Sequence, residues 1–336
     1  MTGSAGLAVH GLRARIEGWP EVVESLRLDF AWFAGPAPGG EAAVEVRVER
    51  GAPDFDALGA PVASFVTPRN VVYQDGGRTI VDYFGRAVSV LDRGPVARLS
   101  VRGEDEHLVH EAAYHFLTST VGAHLDRAGL PRLHALALSG GQGAVAVMLP
   151  SGGGKSTLAL RALTAGDPVR LLSEDTALMD LRGRLHPFPL RIGINATDAA
   201  TLPAGSVRRL ERMEFHPKLA LEIDAFRERI EPAPQPLRHL VVGQRSLGRE
   251  ARLERVRRSG AVIPLLREAV VGVGVYQGME FLLQHGMRDV VRLAPAGVTR
   301  TRASAALLAR ASVWRLTLGR DHDRNWAALA PLLEAR

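Results

Sequence analysis

The chain has 336 residues, of which 46% are hydrophobic, enough to form a sizeable core in two domains or one elaborated domain. It contains no cysteine, which excludes disulfides and thiolate metal sites. The formal net charge is +6, but arginines are spread along the whole chain, so we expect an acidic or phosphorylated partner rather than nucleic acid.

The sequence carries no signal for membrane insertion or export. The most apolar segment, 269–276, is shorter than a membrane span and is predicted to be a buried helix. The first six residues lack the basic and apolar regions of a signal peptide. We therefore expect a cytoplasmic protein without a membrane span, and the sequence leaves open whether it forms a homo-oligomer.

Residues 1–105 are predicted to form a smaller, mainly β N-terminal domain. Apolar and polar residues alternate over 26–30 and over 43–48, as they do in half-buried strands. Residues 71–83 carry a Gly-Gly turn between two β-prone runs, which is typical of a hairpin. We assign residues 106–336 to a second domain, and all candidate functional residues lie there.

The second domain is predicted to mix helices and strands, which indicates an α/β fold. Two apolar runs, 133–138 and 144–149, flank a Gly-rich turn and are predicted to form a β-hairpin. Further strands are predicted at 168–173, 237–242, 252–258 and 313–318, and an apolar run follows the two acids at 176–179. Helices are predicted at 106–128, 157–163, 262–285, 301–311 and from 323 onward.

The segment with the clearest chemistry is a Gly-rich loop between a predicted strand and a predicted helix. It has the sequence Leu149-Pro150-Ser151-Gly152-Gly153-Gly154-Lys155-Ser156-Thr157. A strand, a Gly-rich turn and a helix that opens on Lys-Ser form the context of a phosphate-binding P-loop. The usual pattern has a glycine where this chain has Leu149, so we expect the loop to leave its strand by a different turn.

Each residue type in this loop suits phosphate binding. Glycines let consecutive backbone N–H groups face an anion, and the helix N-terminus adds further unpaired N–H groups. Lys155, one of only two lysines in the chain, is predicted to reach the β- and γ-phosphates of ATP, and the Ser156 hydroxyl to hold Mg²⁺. The predicted cofactor-binding residues are Ser151, Gly152, Gly153, Gly154, Lys155, Ser156 and Thr157.

Two adjacent acids, Glu174 and Asp175, follow the first predicted strand after the loop helix. Mg²⁺-dependent phosphoryl transfer needs carboxylates near the γ-phosphate, one for the metal and one to accept the hydroxyl proton. Ligands of parallel α/β sheets collect at the carboxyl ends of the strands, where this pair is predicted to lie. Adjacent strand residues point to opposite sides, so both acids can serve one site only if the backbone turns there.

These motifs together resemble the HPr kinase/phosphorylase superfamily, bacterial serine kinases whose fold is related to phosphoenolpyruvate carboxykinase. The resemblance covers 131 to about 195 and is carried, in order, by His134 on a strand, by the loop 151–156, and by Ser173-Glu174-Asp175-Thr176. The run 183–191 is similar to a short hairpin and proline-rich segment found in related subfamilies, some of which act in peptide biosynthetic clusters. The resemblance implies a P-loop kinase core.

The resemblance also implies roles for individual residues. Ser156 and Asp175 would hold Mg²⁺, and Asp175 together with Glu174 would supply the general base, with either acid able to take that role. His134 would lie near the γ-phosphate and orient an acidic partner. Arg191 would stabilise charge that develops on the transferred group. Glu174 stands where the family carries aspartate, and the long downstream signature of the bifunctional enzymes is not recognisable, which argues against phosphorylase activity.

The sequence therefore favours an ATP- and Mg²⁺-dependent kinase with a hydroxyl acceptor, most simply a serine of a peptide or small protein. Two alternatives stay open. One is a small-molecule kinase on the same scaffold. The other is a regulator that senses a nucleotide through the loop without transferring phosphate.

Overall fold

The computed structural model describes residues 2–37, 40–164, 169–200, 202–203, 205–210, 218–271 and 287–334. The chain forms two compact units. The first unit comprises 1–124, 209–218 and 277–292, and the second comprises 125–208, 219–276 and 293–336. The chain folds into helices and several mixed sheets, which confirms the predicted α/β class.

The first unit contains a nine-stranded sheet. Its strands are β1 (Gly3–Val9), β2 (Leu12–Gly18), β3 (Ala34–Gly35), β4 (Val44–Arg50), β5 (Ala63–Val66), β6 (Val71–Asp75), β7 (Arg78–Asp82), β8 (Ala87–Arg93) and β9 (Ala97–Gly103). They lie in the order β3-β1-β2-β4-β9-β8-β7-β6-β5. Strand β4 is parallel to both of its neighbours, and the other pairs are antiparallel. The predicted strand at 43–48 and the predicted hairpin at 71–83 are confirmed.

The predicted strand at 26–30 is wrong, because these residues end helix α1 (Pro20–Asp29). Val22, Leu26 and Phe30 are fully buried at a spacing of four residues, which is the spacing of one helix face. Pro20 suits the first turn of a helix, where its missing N–H costs nothing. A window of five residues is too short to distinguish the alternation of a strand from the period of a helix.

The rest of the chain alternates helices and strands. The helices are α2 (Glu106–Arg127), α3 (Lys155–Thr164), α4 (Ala196–Ala199), α5 (Val262–Leu265), α6 (Met287–Arg310) and α7 (His322–Leu329). The strands are β10 (Arg132–His134), β11 (Leu136–Gly140), β12 (Gly143–Met148), β13 (Arg170–Ser173), β14 (Thr176–Met179), β15 (Arg184–His186), β16 (Ile192–Ile194), β17 (Val207–Leu210), β18 (Lys218–Leu221), β19 (Gln235–Arg245), β20 (Arg252–Arg255) and β21 (Ser312–Leu318).

Most of the predicted elements of the second domain are confirmed. The hairpin before the Gly-rich loop is β11 and β12, and helix α3 follows the loop. The helix predicted at 262–285 begins as α5 and continues as a π-helical segment, Leu266–Val271. Its remainder, 272–285, lies outside the described residues, as does the later part of the apolar run at 269–276.

Strand directions in the main sheet of the second unit place two strand ends at one edge. Strands β12, β19 and β21 are parallel neighbours. Strand β11 is antiparallel to β12, and β13 is antiparallel to β11, so β13 runs in the same direction as β12. The sheet is therefore mixed rather than parallel, yet the carboxyl ends of β12 and β13 point to the same edge.

One face of this sheet packs against α5, the π-helical segment and α6. Apolar side chains from the sheet and from these helices form one buried cluster. Its members include Ala144, Ala146 and Met148 of β12, Leu240 of β19, Val313 of β21, Leu265 of α5, Ala269 of the π-helical segment, and Ala303 and Leu307 of α6. This packing holds the π-helical segment over the sheet face that carries β12.

A buried ion pair anchors the start of β10. The guanidinium of Arg300, which is 1% exposed, donates to both carboxylate oxygens of Asp126, at 2.6 and 3.3 Å. Arg132, the first residue of β10, lies 3.7 Å from the same carboxylate. A bidentate pair has strict geometry, so this contact fixes the end of α2 and the beginning of β10 against α6.

Among the helices that the structure describes, none has both the length and the apolar character that crossing a membrane requires.

Asp180 organises the turn between β14 and β15. One of its oxygens accepts the backbone N–H groups of Arg182 and Arg184, at 2.8 and 3.0 Å. The other accepts from Arg184 Nε at 2.8 Å and from His186 Nε2 at 3.0 Å. Burial alone would raise the pKa of the Asp180 carboxyl, but the hydrogen bonds from His186 and Arg184 outweigh it and lower the pKa to about 2.

We predict that Asp180→Asn lowers the free energy of unfolding at neutral pH by about 2 kcal/mol, since the folded-state pKa lies below the usual 3.8. A lowered carboxyl pKa contributes stability that is present above the unfolded-state pKa and is lost as pH falls. In the wild type this part of the stability should disappear between about pH 4 and pH 2. Urea unfolding over that pH range measures it.

Asp224→Asn is the matched control, because Asp224 also pairs with an arginine but is 42% exposed. An exposed pair of this kind contributes little to stability. An Asp180→Asn protein that unfolds at the same urea concentration as the control would contradict the prediction.

Candidate functional site

The Gly-rich loop connects β12 to α3 through two residues in the left-handed region. Gly152 has φ +72° and Gly154 has φ +109°, conformations that residues with a Cβ rarely adopt. The N–H of Gly153 donates to the carbonyl of Pro150 at 2.8 Å. Helix α3 begins at Lys155, so its first unpaired N–H groups lie directly after the glycines.

The strand next to β12 accommodates Leu149, which stands where the usual loop pattern has glycine. Leu149 is 1% exposed. On the neighbouring strand β19, a Cβ at Gly243 would lie only 2.4 Å from Leu149 Cδ2. Gly243 therefore provides the space that Leu149 needs, and a missing glycine in the loop is matched by a glycine on the adjacent strand.

Lys155 is buried, with 5% of the residue exposed, and its ammonium group bonds within the protein. Nζ donates to the Leu149 carbonyl at 2.7 Å and lies 2.8 Å from His134 Nε2. It also lies 3.2 Å from Asp175 Oδ1. The Pro150 carbonyl is a fourth acceptor at 3.4 Å, so all three donors of the ammonium group are used within the protein. A buried cation is tolerated because it is hydrogen-bonded and faces an opposite charge.

The turn between β13 and β14 consists of Glu174 and Asp175, and the Ser173 side chain closes it. Ser173 Oγ donates to the Thr176 carbonyl at 2.7 Å and accepts from the Thr176 N–H at 3.3 Å. The backbone therefore leaves the strand at the two acids, as the sequence required for both to serve one site. Glu174 Oε1 accepts from Ser156 Oγ at 2.6 Å.

His134 links these elements from the end of β10. Its strand pairs with β14, and His134 is the register partner of Thr176, next to Asp175. The ring is 4% exposed, and its Nε2 lies 3.1 Å from Asp175 Oδ1 as well as close to Lys155. One nitrogen serves one partner at a time: it accepts from Lys155 when neutral and donates to Asp175 when protonated.

Glu268 is the site residue that sequence reasoning missed. It lies in the π-helical segment, is 2% exposed, and its Oε2 lies 2.7 Å from His134 Nδ1. Its other oxygen accepts from Arg267 Nε at 2.7 Å. The available signal was an acid directly before the apolar run 269–276 and within the helix predicted at 262–285, because a buried carboxylate needs a partner.

Opposite charges determine the protonation of Asp175 and His134. Burial raises the pKa of Asp175, but the hydrogen bond from His134 and the charge of Lys155 outweigh it, so the pKa is lowered. Burial lowers the pKa of His134, but the hydrogen bond and charge of Asp175 outweigh this and raise it. Asp175 is therefore ionised at neutral pH. Its side chain is 38% exposed, whereas Lys155, His134 and Glu268 are buried.

The structure joins five of the predicted residues and one unpredicted residue. Lys155, His134, Asp175 and Glu268 lie in one hydrogen-bonded cluster, and their chain neighbours Ser156 and Glu174 form a separate hydrogen-bonded pair. Arg191 is half-buried and lies directly before β16. Ser151 and Gly152 are exposed in the loop, and Thr157 is half-buried in the first turn of α3.

Comparison with known protein families finds none that matches the chain, and comparison with curated protein sequences finds no match either.

A double-mutant cycle between Gly243 and Leu149 tests how the loop is supported. Gly243→Ala should destabilise the protein because the new Cβ overlaps Leu149. In a Leu149→Ala background the same change should cost less, with a coupling of about 1 kcal/mol. Chemical unfolding of the four proteins gives the coupling, and strictly additive effects would show that the two side chains do not compete for this space.

Proposed function

We propose that the chain is an ATP- and Mg²⁺-dependent kinase that transfers the γ-phosphate to a hydroxyl, with a serine of a peptide or small protein as the expected acceptor. The observation that carries the proposal is the ionised, partly exposed Asp175 carboxylate 3.2 Å from the buried Lys155 ammonium, directly beside a Gly-rich loop. The resemblance to the HPr kinase/phosphorylase superfamily supports the same P-loop kinase core.

Phosphate binding is assigned to the loop and to Lys155. The loop offers backbone N–H groups before and at the start of α3, where an anion is stabilised. All three donors of Lys155 are used inside the protein, so a phosphate oxygen has to replace at least one present partner. The Leu149 carbonyl is an uncharged partner, and exchanging it for an anionic oxygen strengthens the hydrogen bond.

Ser156 and Glu174 fit the requirements of Mg²⁺. Their oxygens are 2.6 Å apart, and Mg²⁺ prefers oxygen ligands from one or two carboxylates together with phosphates and waters. In the described parts of the chain, no group of three or more histidine or acidic side chains is placed to hold a metal ion. When bound, Mg²⁺ neutralises phosphate charge. The resemblance pointed to Asp175 as the second ligand, and the hydrogen bond to Ser156 favours Glu174 instead.

Asp175 is then the residue that accepts the proton of the attacking hydroxyl. It is ionised at neutral pH and 38% exposed, so an acceptor can reach it. Lys155 and His134 hold this carboxylate in place from the buried side. Transfer on this account depends mainly on positioning and electrostatics, as in other phosphoryl transfers. Arg191 is assigned, from the resemblance, to charge that develops on the transferred group.

Replacement of Lys155 tests the proposal most directly. We expect Lys155→Ala to remove phosphoryl transfer, because the ammonium no longer meets the phosphates, while the protein stays folded. The assay incubates the protein with γ-labelled ATP and cell extract, and it records whether label enters a peptide, a protein or only small metabolites. Label confined to small metabolites would favour the small-molecule kinase.

Arg161→Ala is the matched control for this experiment. It removes one cation from the same helix, α3, but from an exposed side chain that pairs with Asp323. The control should transfer phosphate like the wild type. Transfer by Lys155→Ala at the wild-type rate would refute the kinase assignment.

Substitutions of the two acids, Glu174 and Asp175, should impair phosphoryl transfer in different ways. Glu174→Gln is expected to raise the Mg²⁺ concentration needed for half-maximal rate, because a ligand charge is lost. Asp175→Asn is expected to lower kcat by about 10²- to 10⁴-fold at saturating Mg²⁺, the usual contribution of a general base. Titrations of rate against Mg²⁺ separate the two effects, and binding of a fluorescent ATP analogue should persist in Asp175→Asn.

A reversed pattern would assign the metal to Asp175 and the proton to Glu174. Full biological function in Asp175→Asn would instead favour a regulator that binds nucleotide without transferring phosphate.

A further inference from the structure

Glu268 is a buried carboxylate for which the proposed reaction has so far no role. It lies in the π-helical segment Leu266–Val271, and such segments are rare and occur often at functional sites. At 2% exposure, an ionised carboxylate is costly unless its oxygens are hydrogen-bonded. Both oxygens have partners, His134 Nδ1 and Arg267 Nε, each at 2.7 Å.

The contact with His134 fixes where a proton lies on the ring. An ionised carboxylate only accepts hydrogen bonds, so His134 Nδ1 has to carry the proton of this 2.7 Å contact. Arg267 Nε donates to the other carboxylate oxygen, so a charged donor lies beside Glu268. With Nδ1 committed to Glu268, the ring is held with Nε2 directed at Lys155 Nζ and Asp175 Oδ1.

We infer that Glu268 is a positioning residue for phosphoryl transfer: it orients the His134 ring so that Nε2 faces both Lys155 and Asp175 and can bond to either one. The inference rests on the proposed kinase function. The hydrogen bonds of Glu268 go to His134 and Arg267, so it acts on Lys155 and Asp175 through the His134 ring. Carboxylates that orient functional histidines through the second ring nitrogen do this in many proteins.

The first experiment needs no kinase activity. Wild-type protein labelled with ¹⁵N-histidine gives the protonation of each ring nitrogen by NMR, and His134→Asn identifies the His134 signals by their loss. We expect a protonated Nδ1 in the wild type and a changed nitrogen pattern in Glu268→Met, which has a similar shape but cannot accept the hydrogen bond. A wild-type His134 with its only proton on Nε2 overturns the inference.

The second experiment follows catalysis in the full-length protein. Glu268→Met should lower kcat by about ten- to a hundredfold, the range seen when the carboxylate partner of a metal-binding histidine is removed. The affinity for a fluorescent ATP analogue should not change, because the loop is untouched. Glu268→Gln keeps an acceptor oxygen and should restore much of the rate. A folded Glu268→Met protein with wild-type kcat overturns the inference, as does an unchanged His134 nitrogen pattern.

Glu231→Gln is the matched control. Glu231 accepts a hydrogen bond from Ser139 Oγ at 2.9 Å in the same unit, so this variant loses the same charge from another hydrogen-bonded acid. It should leave both kcat and the His134 signals unchanged. If Glu268→Met does not fold, Glu268→Gln and the wild-type ring pattern decide the question. A wild type without transfer refutes the kinase function alone, and the NMR result still decides whether Glu268 orients His134.

Discussion

The burial of the Lys155 ammonium is the constraint on which the rest of the site depends. A cation that is 95% buried needs hydrogen bonds and an opposite charge, and the protein supplies a carbonyl, an imidazole and a carboxylate. These three partners come from the loop, from β10 and from the turn after β13. They can meet only because β13 runs in the direction of β12, which brings both strand ends to one edge of the sheet.

This geometry separates two acids that are neighbours in the chain. The Ser173 side chain closes the turn, Glu174 faces the hydroxyl of Ser156, and Asp175 faces the ammonium of Lys155. Partners of such different chemistry give the two carboxylates different tasks in the proposed reaction, metal binding for Glu174 and proton transfer for Asp175. The buried side of the cluster continues through His134 to Glu268, so Asp175 is its partly exposed end.

Local patterns predicted much of the fold. The strand, Gly-rich loop and helix around Lys155, the hairpin before them and the strand that precedes the two acids all lie where the sequence placed them. The strand predicted at 26–30 failed because a five-residue alternation also fits the buried face of α1. The sequence could not predict that Gly243 provides the space for the Leu149 side chain, since this depends on which strand lies beside β12.

The sequence by itself determined the chemistry that the site can offer: a loop with glycines at left-handed positions, one lysine where phosphate would bind, and a pair of acids after a strand. Such features depend on local backbone preferences and on residue type, which a sequence displays directly. Only the tertiary structure decided which side chains contact one another. It pairs Glu174 with Ser156, Asp175 with Lys155, and Glu268 with His134, which lies 134 positions away in the chain. Contacts of that kind follow from strand order, register and the packing of a distant helix, and no local pattern encodes them.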